Sequence, residues 1–340
     1  MRVLLTGGAG YIGAHTAIEL IGAGHDIAVL DNFANSSPAV LDRIGDLTGV
    51  APQLFEVDLL DRGAVESVFS ASRFDAVIHF AGLKAVGESV ADPLRYYRTN
   101  LLGTLNLLDS MISSGTTQLV FSSSATVYGE DVSPPISENS PIADAASPYG
   151  RTKLMIERML EDVVRAQDAF AVASLRYFNP AGAHPSGDIG EDPKGIPNNL
   201  MPYITQVAVG ERERLTINGD DYPTPDGSCI RDYIHVTDLA RGHLAALDWL
   251  KASNGNGLRA FNLGTGRGTS VFEMVDAFER ANGVGIPRVV GPRRPGDIPA
   301  SFTDPARAAA ELGWKAEKTV EDICRDAWRW QQKHPRGYHG

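Results

Sequence analysis

A glycine-rich turn between an apolar run and an amphipathic one constrains this chain more than any other feature. Arg2-Val3-Leu4-Leu5 leads into Thr6-Gly7-Gly8-Ala9-Gly10-Tyr11-Ile12-Gly13, and a helical pattern follows over Ile12–Ile21. Gly7, Gly10 and Gly13 supply a tight turn, close backbone approach and close helix–strand packing. A pyrophosphate fits such a loop, at the N–H groups that open the helix. Glycines alone could mark only a turn, but the strand–loop–helix context and an acid downstream favour a dinucleotide. Asp31, ending the second apolar run, is that acid. Its carboxylate suits ribose hydroxyls and repels a 2′-phosphate, so NAD is expected over NADP. The plainer alternative is a turn aspartate before Asn32. Asp58, ending the third run, can meet an adenine amino group, cap a helix over Leu59–Phe69, or do both.

The first half alternates strand and helix patterns. Strands are expected at Val3–Thr6, Asp26–Leu30, Gln53–Val57, Asp75–Phe80, Gln118–Ser122 and Ala171–Arg176. Helices are expected at Ile12–Ile21, Arg62–Phe69, Leu94–Ile112 and Pro148–Arg165. Near-continuous apolar strands between amphipathic helices predict a doubly wound, Rossmann-like α/β fold with a parallel sheet covered on both faces. After Arg176 the pattern loosens into Gly, Pro, Asn and Asp, with a helix near Leu200–Val209. A strand over Ile230–Val236 then precedes Thr237 as the cap of a helix reaching Leu250. Ala260–Leu263 reads as a strand, and Thr269–Asn282, Asp304–Leu312 and Val320–Gln332 as helices. The expected division is a cofactor domain over 1–176, joined by segments near 230–263, and a smaller α/β substrate domain over 177–340.

Composition removes whole classes of function. A net charge of −11 over 340 residues disfavours nucleic acid and anionic membranes, which demand a basic face. No apolar run of about 18 residues suggests a membrane span, and Arg2–Thr6 leaves no room for a leader. Cys229 and Cys324 stand apart with no ligand neighbours, so reduced thiols, a cytoplasmic setting and no metal site are expected.

Ser122-Ser123-Ser124 places three hydroxyls at the carboxyl end of a strand, where open α/β sheets bind ligands. Ser124 can hydrogen-bond a reacting oxygen and share a proton with Tyr149. Tyr149 and Lys153 are four residues apart on one helix face. An ammonium beside a phenol favours phenolate, a base for a sugar hydroxyl. Half-ionising a phenol at neutral pH costs roughly 4 kcal/mol against its ordinary value, and burial alone adds to that cost. Taken alone, such a pair is also a common surface couple. His79–Lys84 ends the fourth strand, and Lys84 can face cofactor or substrate oxygens. Asn100 reads equally as a satisfied core amide or a cofactor contact.

The Thr-Gly-x-x-Gly-x-x-Gly opening with Ser124, Tyr149 and Lys153 resembles the extended short-chain dehydrogenase/reductase family. Within it the chain is similar to the UDP-hexose 4-epimerases over essentially its whole length. Phe121–Gly129, Leu175–His184, Pro197–Tyr203, Asp221–Thr224, Arg231–Val236 and Arg293–Asp297 carry that likeness. The resemblance implies NAD-dependent epimerisation at sugar carbon 4 through a 4-keto sugar that rotates about its diphosphate link. Tyr149 would be the base, Ser124 would bridge the hydroxyl, and Lys153 would hold the nicotinamide ribose and lower the tyrosine's pKa. It further implies cofactor contacts from Gly7, Gly10, Tyr11, Ile12, Gly13, Asp31, Asn32, Asn35, Asp58 and Leu59. Phe80, Ala81, Gly82, Lys84, Asn100, Ser122, Tyr149, Lys153 and Tyr177 would complete that shell. The UDP-sugar would meet Lys84, Ser124, Tyr149, Phe178, Asn179, Asn199 and Leu200, with Leu215 and Ile217 at the uracil. Arg231 and Arg294 would take the diphosphate, since guanidinium forks match phosphate oxygens, and Asp297 the uridine ribose.

Two departures stand out. Ser301 occupies a position where several relatives carry a bulky Tyr, so room for an N-acetyl group, hence UDP-GlcNAc and UDP-GalNAc, is expected. Asn218 stands where an aromatic often lies near uracil, which leaves the base contact open. A 4,6-dehydratase needs an acid/base pair where this chain has Ala125-Thr126, and neither residue can supply it. A UDP-glucuronate epimerase or decarboxylase is the remaining rival in the family. A catalytically silent NAD-binding sensor is the rival outside it. Surplus apolar positions in Leu94–Ile112 and Pro148–Arg165, with the resemblance, predict a homodimer.

Overall fold

Seven strands hydrogen-bond into one sheet, and its C-terminal edge carries the glycine loop, the loops after β2 and β4, and the serines that end β5. The computed structural model describes residues 1–142, 145–252, 257–294 and 296–339, His339 by its backbone alone. Pro295, within the Arg293–Asp297 motif, lies outside the described residues. The strands are β1 (Arg2–Thr6), β2 (Asp26–Asp31), β3 (Gln53–Glu56), β4 (Ala76–His79), β5 (Gln118–Ser124), β6 (Ala171–Tyr177) and β7 (Gly257–Leu263). All pair in parallel, in the order β7-β6-β5-β4-β1-β2-β3. Strand order reverses between β1 and β4, and the crevice at that reversal is where doubly wound sheets bind ligands.

The helices are α1 (Tyr11–Gly22), α2 (Ala39–Thr48), α3 (Arg62–Ala71), α4 (Val86–Ala91), α5 (Pro93–Tyr97), α6 (Gly103–Ser114) and α7 (Pro148–Ala166), followed by α8 (Leu200–Ala208), α9 (Val236–Ala252), α10 (Val271–Asn282) and α11 (Val320–Lys333). One face of the sheet buries Val3, Leu5, Val29 and Ile78 with Ala17, Leu20 and Leu247 of α1 and α9. The other buries Leu4, Val77, Leu119 and Phe121 with Val65, Leu107 and Ile156 of α3, α6 and α7. Alternation along the inner strands feeds both layers, so they read as unbroken apolar runs, while edge strand β3 stays largely exposed. A separate core gathers Met201, Ile204, Met274, Phe278, Ile323 and Cys324 from α8, α10 and α11.

Four local expectations need correcting. The Leu94–Ile112 helix is interrupted: α5 and α6 flank a π turn at Arg98–Leu102, where the Thr104 hydroxyl donates to the Asn100 carbonyl at 2.7 Å. The Ile230–Val236 strand breaks at Asp232 into Ile230–Arg231 and Tyr233–His235, which join different small sheets. The buried Asp232 carboxylate accepts from the Thr265, Gly266 and Thr303 N–H groups, which turns the chain there. Helix α9 starts at Val236, ahead of the expected Thr237 cap, because His235 Nδ1 accepts from the Thr237 N–H at 3.1 Å and does the capping. Asp58 does not cap α3 either: Asp61 accepts from the Ala64 N–H at 3.1 Å, while Asp58 accepts from Leu60 two residues on. Helices α2 and α4 were not expected, being short and flanked by turn-rich sequence.

Candidate active site

The glycine loop is shaped by contact. Gly7 has φ +71°, and a Cβ there would stand 2.7 Å from the Ala81 nitrogen. A Cβ on Gly13 would stand 2.5 Å from the Gly7 carbonyl oxygen. The Phe80 and Ala81 N–H groups both donate to the Thr6 carbonyl, which binds the loop after β4 to the glycine loop. Helix α1 opens at Gly10 with no side-chain cap, so its first amides face the crevice unclaimed by a side chain. Asp31 is buried, and its carboxylate accepts from Ala9 N–H at 3.0 Å, Phe33 N–H at 2.9 Å and the Ser36 hydroxyl at 2.8 Å. Three donors leave acceptor capacity on its two oxygens. Asn32 donates to Asp58 at 3.0 Å, which joins the loops after β2 and β3, and Asn35 lies exposed nearby. Leu59 is buried, its carbonyl accepting from Asn106 at 2.8 Å. The set fits a dinucleotide: an acceptor for hydroxyls and a helix N-terminus beside a cradle that no side chain fills.

Asn100 is hydrogen-bonded within the protein on both sides of its amide. It accepts from Leu83 N–H at 2.8 Å and donates to the Leu83 carbonyl and the Thr152 hydroxyl, each at 3.0 Å. It therefore fixes the Gly82–Lys84 loop against α7, and Thr152 in turn donates to the Tyr149 carbonyl at 2.7 Å. Strand alternation sorts the three serines. Ser123 turns to α7 and donates to Glu157 at 2.6 Å, while Ser122 and Ser124 sit on the opposite side of the strand.

Helix α7 starts on a Ser147 cap with Pro148 in its first turn, which presents Tyr149 at the mouth of the crevice. Gly150 lets the helix close on the loop after β5: a Cβ there would meet Thr126 Oγ1 at 3.2 Å and Ala145 Cβ at 2.8 Å. Ser124 Oγ accepts from the Thr126 N–H at 3.2 Å and the Thr126 hydroxyl at 3.0 Å. With its oxygen taken by Thr126, Ser124 has its own proton to give toward Tyr149. Burial pushes the half-buried Tyr149 phenol up, and the Ser124 hydroxyl as a nearby donor pulls against it.

Lys153 corrects an expectation. Its ammonium donates to the Ser122 carbonyl at 2.6 Å and lies 4.9 Å from the Phe121 ring centroid. The phenol is not drawn down by it here; burial and Ser124 are the causes acting on Tyr149. Burial lowers Lys153 itself to about 8, with Glu157 one turn along pulling it back up.

Glu157 belongs to a buried network that the sequence reading missed. Arg176 donates to both its oxygens, at 3.0 and 2.7 Å, and the Ser174 hydroxyl donates at 2.8 Å. Burial works against ionisation, but these donors hold the carboxyl below its usual range. Arg176 also donates to the Tyr128 hydroxyl at 2.9 Å, which donates to Asn262 at 2.6 Å. The position of Glu157, four residues after Lys153, was the readable signal. Tyr177, paired with Ser124 across the sheet, has its pKa raised by burial, and its hydroxyl meets buried His243.

The substrate residues divide. Arg231 and Arg294 converge on Asp297, at 3.3 and 2.7 Å. Arg231 also donates to the Ile230 and Ile298 carbonyls, each at 2.8 Å, and Arg294 is the more exposed of the two. Ser301 is half-buried and pairs in register with Arg231 on a short parallel strand. Phe178 packs with Val127, Tyr128 and Ile136, and Asn179 follows it on a short strand. Glu191, also missed, accepts from Lys84 at 3.3 Å and Asn199 at 2.6 Å, with half-buried Leu200 next in the chain. Leu215 and Ile217 do not present side chains at a surface; both point into the α8–α10–α11 core. On the strand Leu215–Asn218 it is Thr216 and Asn218 that face outward, since alternate residues take opposite sides.

Comparison with known proteins agrees with this geometry. The family model for the NAD dependent epimerase/dehydratase family matches residues 3–264. The UDP-glucose 4-epimerase of Bacillus subtilis is 56% identical over 99% of both chains. A crystal structure of UDP-glucose 4-epimerase from Bifidobacterium longum, in complex with NAD+ and UDP, superposes with a TM-score of 0.96 at 50% identity, covering 99% of this chain and 100% of that one. The Stenotrophomonas maltophila enzyme, with bound NAD and formylated UDP-arabinopyranose, gives a TM-score of 0.95 at 48% identity over 99% of each chain. On this match of sequence, fold and site, the chain belongs to the NAD-dependent epimerase/dehydratase family.

Proposed function

We propose that this chain is a UDP-glucose 4-epimerase, interconverting UDP-glucose and UDP-galactose. The observation that carries the reading is the gathering of Ser124, at the end of β5, with Tyr149 and Lys153 of α7 at the sheet edge that also holds the glycine loop. NAD, when bound, would supply a reversible hydride acceptor for sugar carbon 4. The glycine loop and Asp31 would hold its pyrophosphate and ribose, and Lys153, which donates to the Ser122 carbonyl, would hold the nicotinamide ribose. Tyr149 takes the proton of the 4-hydroxyl and gives it back, and Ser124 keeps the oxygen aligned between those transfers. Arg231 and Arg294 hold the diphosphate, so the sugar turns while the nucleotide stays. Residues 1–176 with α9 and β7 form the cofactor unit, and the remaining chain from 177 the substrate unit.

Three finer features belong to the same reading. Ser301 leaves room for an N-acetyl group, so UDP-GlcNAc and UDP-GalNAc are also substrates. The protein works as a homodimer through α4–α7, where Val90, Leu94, Leu105 and Met155 lie exposed. Buried free Cys229 and Cys324 fit a reducing, cytoplasmic setting. The test is incubation of purified protein with UDP-galactose, UDP-GalNAc and UDP-glucuronate separately, with no NAD added. UDP-glucose from the first supports the reading. NAD-loaded protein that turns over none of them would make it a silent binding protein, and products from UDP-glucuronate alone would assign it to the rival enzymes.

A further inference from the structure

The segment between the short strand Asn179–Ala181 and α8 crosses back over the cofactor unit and touches three of its loops. At the glycine loop, the Tyr11 hydroxyl donates to the Gly182 carbonyl at 2.7 Å. At the loop after β4, Lys84 donates to Glu191 at 3.3 Å. At the loop after β2, Lys194 donates to the carbonyls of Phe33 and Ala34, both at 3.0 Å. Those are the loops after β1, β4 and β2, which carry the glycine loop, Phe80–Lys84 and Asp31–Asn35, all expected above to contact the dinucleotide. Ile189, fully buried in the main core, and Pro197, also buried, anchor the segment on either side of Lys194. Residues 194–196 between the anchors are exposed. Phe33 itself holds φ +54°, a conformation costly for a non-glycine residue, so its loop is held in shape by its partners. Asp31 on one side and the Lys194 ammonium on the other supply them.

We infer that the segment 182–199 is a strap over the bound dinucleotide and that Lys194 is its latch, setting how slowly the cofactor leaves. The inference rests on NAD binding in this crevice. A dinucleotide leaving past the loop after β2 must displace the strap, and two carbonyl acceptors for one ammonium make Lys194 the contact to break. Lys194 is exposed, so solvent screening holds the effect of losing its two hydrogen bonds to a modest fold-change in release. A gain of one factor of ten in release corresponds to about 1.4 kcal/mol.

The test uses the purified holoprotein. Wild type, Lys194→Met and Lys194→Arg are separated from free nucleotide, diluted, and assayed over time for protein-bound NAD by chromatography of the released cofactor. Lys194→Met, which keeps the apolar stem, is expected to release NAD about five- to tenfold faster, with kcat unchanged at saturating NAD. Lys194→Arg is expected to stay within about twofold of wild type, since its fork still reaches two carbonyls. Equal release rates for wild type and Lys194→Met, both proteins being NAD-loaded, overturn the latch while leaving the epimerase reading intact. A wild type that carries and binds no NAD overturns both.

Discussion

Glu157→Gln tests the structural logic of the site most sharply. In the native protein, Oε1 accepts from Ser123, Ser174 and Arg176 Nε, and Oε2 accepts from the Arg176 terminal nitrogen. An amide can keep its oxygen toward the three donors, but its NH2 then faces the Arg176 nitrogen, donor against donor. Arg176 is left buried with its charge uncompensated, which costs about 3–5 kcal/mol. That is a large share of the roughly 5–15 kcal/mol by which domains are stable. A second effect reaches the chemistry. Glu157 is the charge that holds the Lys153 pKa up against burial, which sets it at about 8. Removing the carboxylate lets that value fall, so Lys153 loses its proton at lower pH and the alkaline limb of kcat moves toward neutrality. The assay is a urea titration with a kcat–pH profile for wild type, Glu157→Gln and the double variant Glu157→Met/Arg176→Met. The double variant should regain stability, because neither charge remains buried, yet keep the displaced limb. An unchanged unfolding midpoint together with an unmoved limb for Glu157→Gln would refute both parts of the reasoning.

The same buried lysine gives a prediction of opposite sign for stability. Below pH 8 the folded and unfolded chains both carry the Lys153 charge and the folded one bears its burial; between about 8 and 10.5 only the unfolded chain keeps the proton, so stability rises with pH. Lys153→Met should raise the thermal midpoint below pH 8, by less as pH climbs toward 10.5, while turnover falls by about a hundredfold or more. Ser301→Tyr should cut kcat/KM for UDP-GalNAc by about tenfold or more and spare UDP-galactose, read from parallel assays of the two pairs. Leu94, 69% exposed, and Leu105, 46% exposed, changed together to Glu should give a monomer by light scattering at micromolar concentration. A dimer surviving that change places the interface elsewhere.

The parts legible in sequence were those fixed by local pattern. Inner strands buried on both faces leave unbroken apolar runs, and these, with edge strand β3, were placed within a residue or two of their observed ends from β1 to β6. The glycine loop was legible because its backbone needs no side chain there, and Asp31 because a carboxylate at a strand end is rarely idle. What local pattern could not show were choices made by distant partners. Asp232 breaks a strand because Thr265 and Thr303 come to it across the fold. Leu215 and Ile217 were expected at the uracil, yet α8, α10 and α11 had to be packed before their strand's inner face could be told from its outer one. Lys194, in a turn-rich stretch, gave no sign that it reaches carbonyls 160 residues away.

Tyr149 and Lys153 show where spacing stops being enough. Four residues put them on one helix face, but a lysine stem is long enough to choose its partner, and here it takes the Ser122 carbonyl. Burial outweighs the pull of the Ser124 hydroxyl, so the phenol holds its proton with the side chains so arranged. A base at neutral pH therefore requires positive charge brought to the phenol, which the Lys153 ammonium would supply if a bound ribose drew it from the Ser122 carbonyl, and to which an oxidised nicotinamide would add. If so, the strap closed by Lys194 retains more than the hydride acceptor, since it also keeps in place the charge that makes Tyr149 a base. An enzyme that returns the hydride to the same sugar gains nothing by releasing NAD between turnovers, and by this argument it would lose its base each time it did.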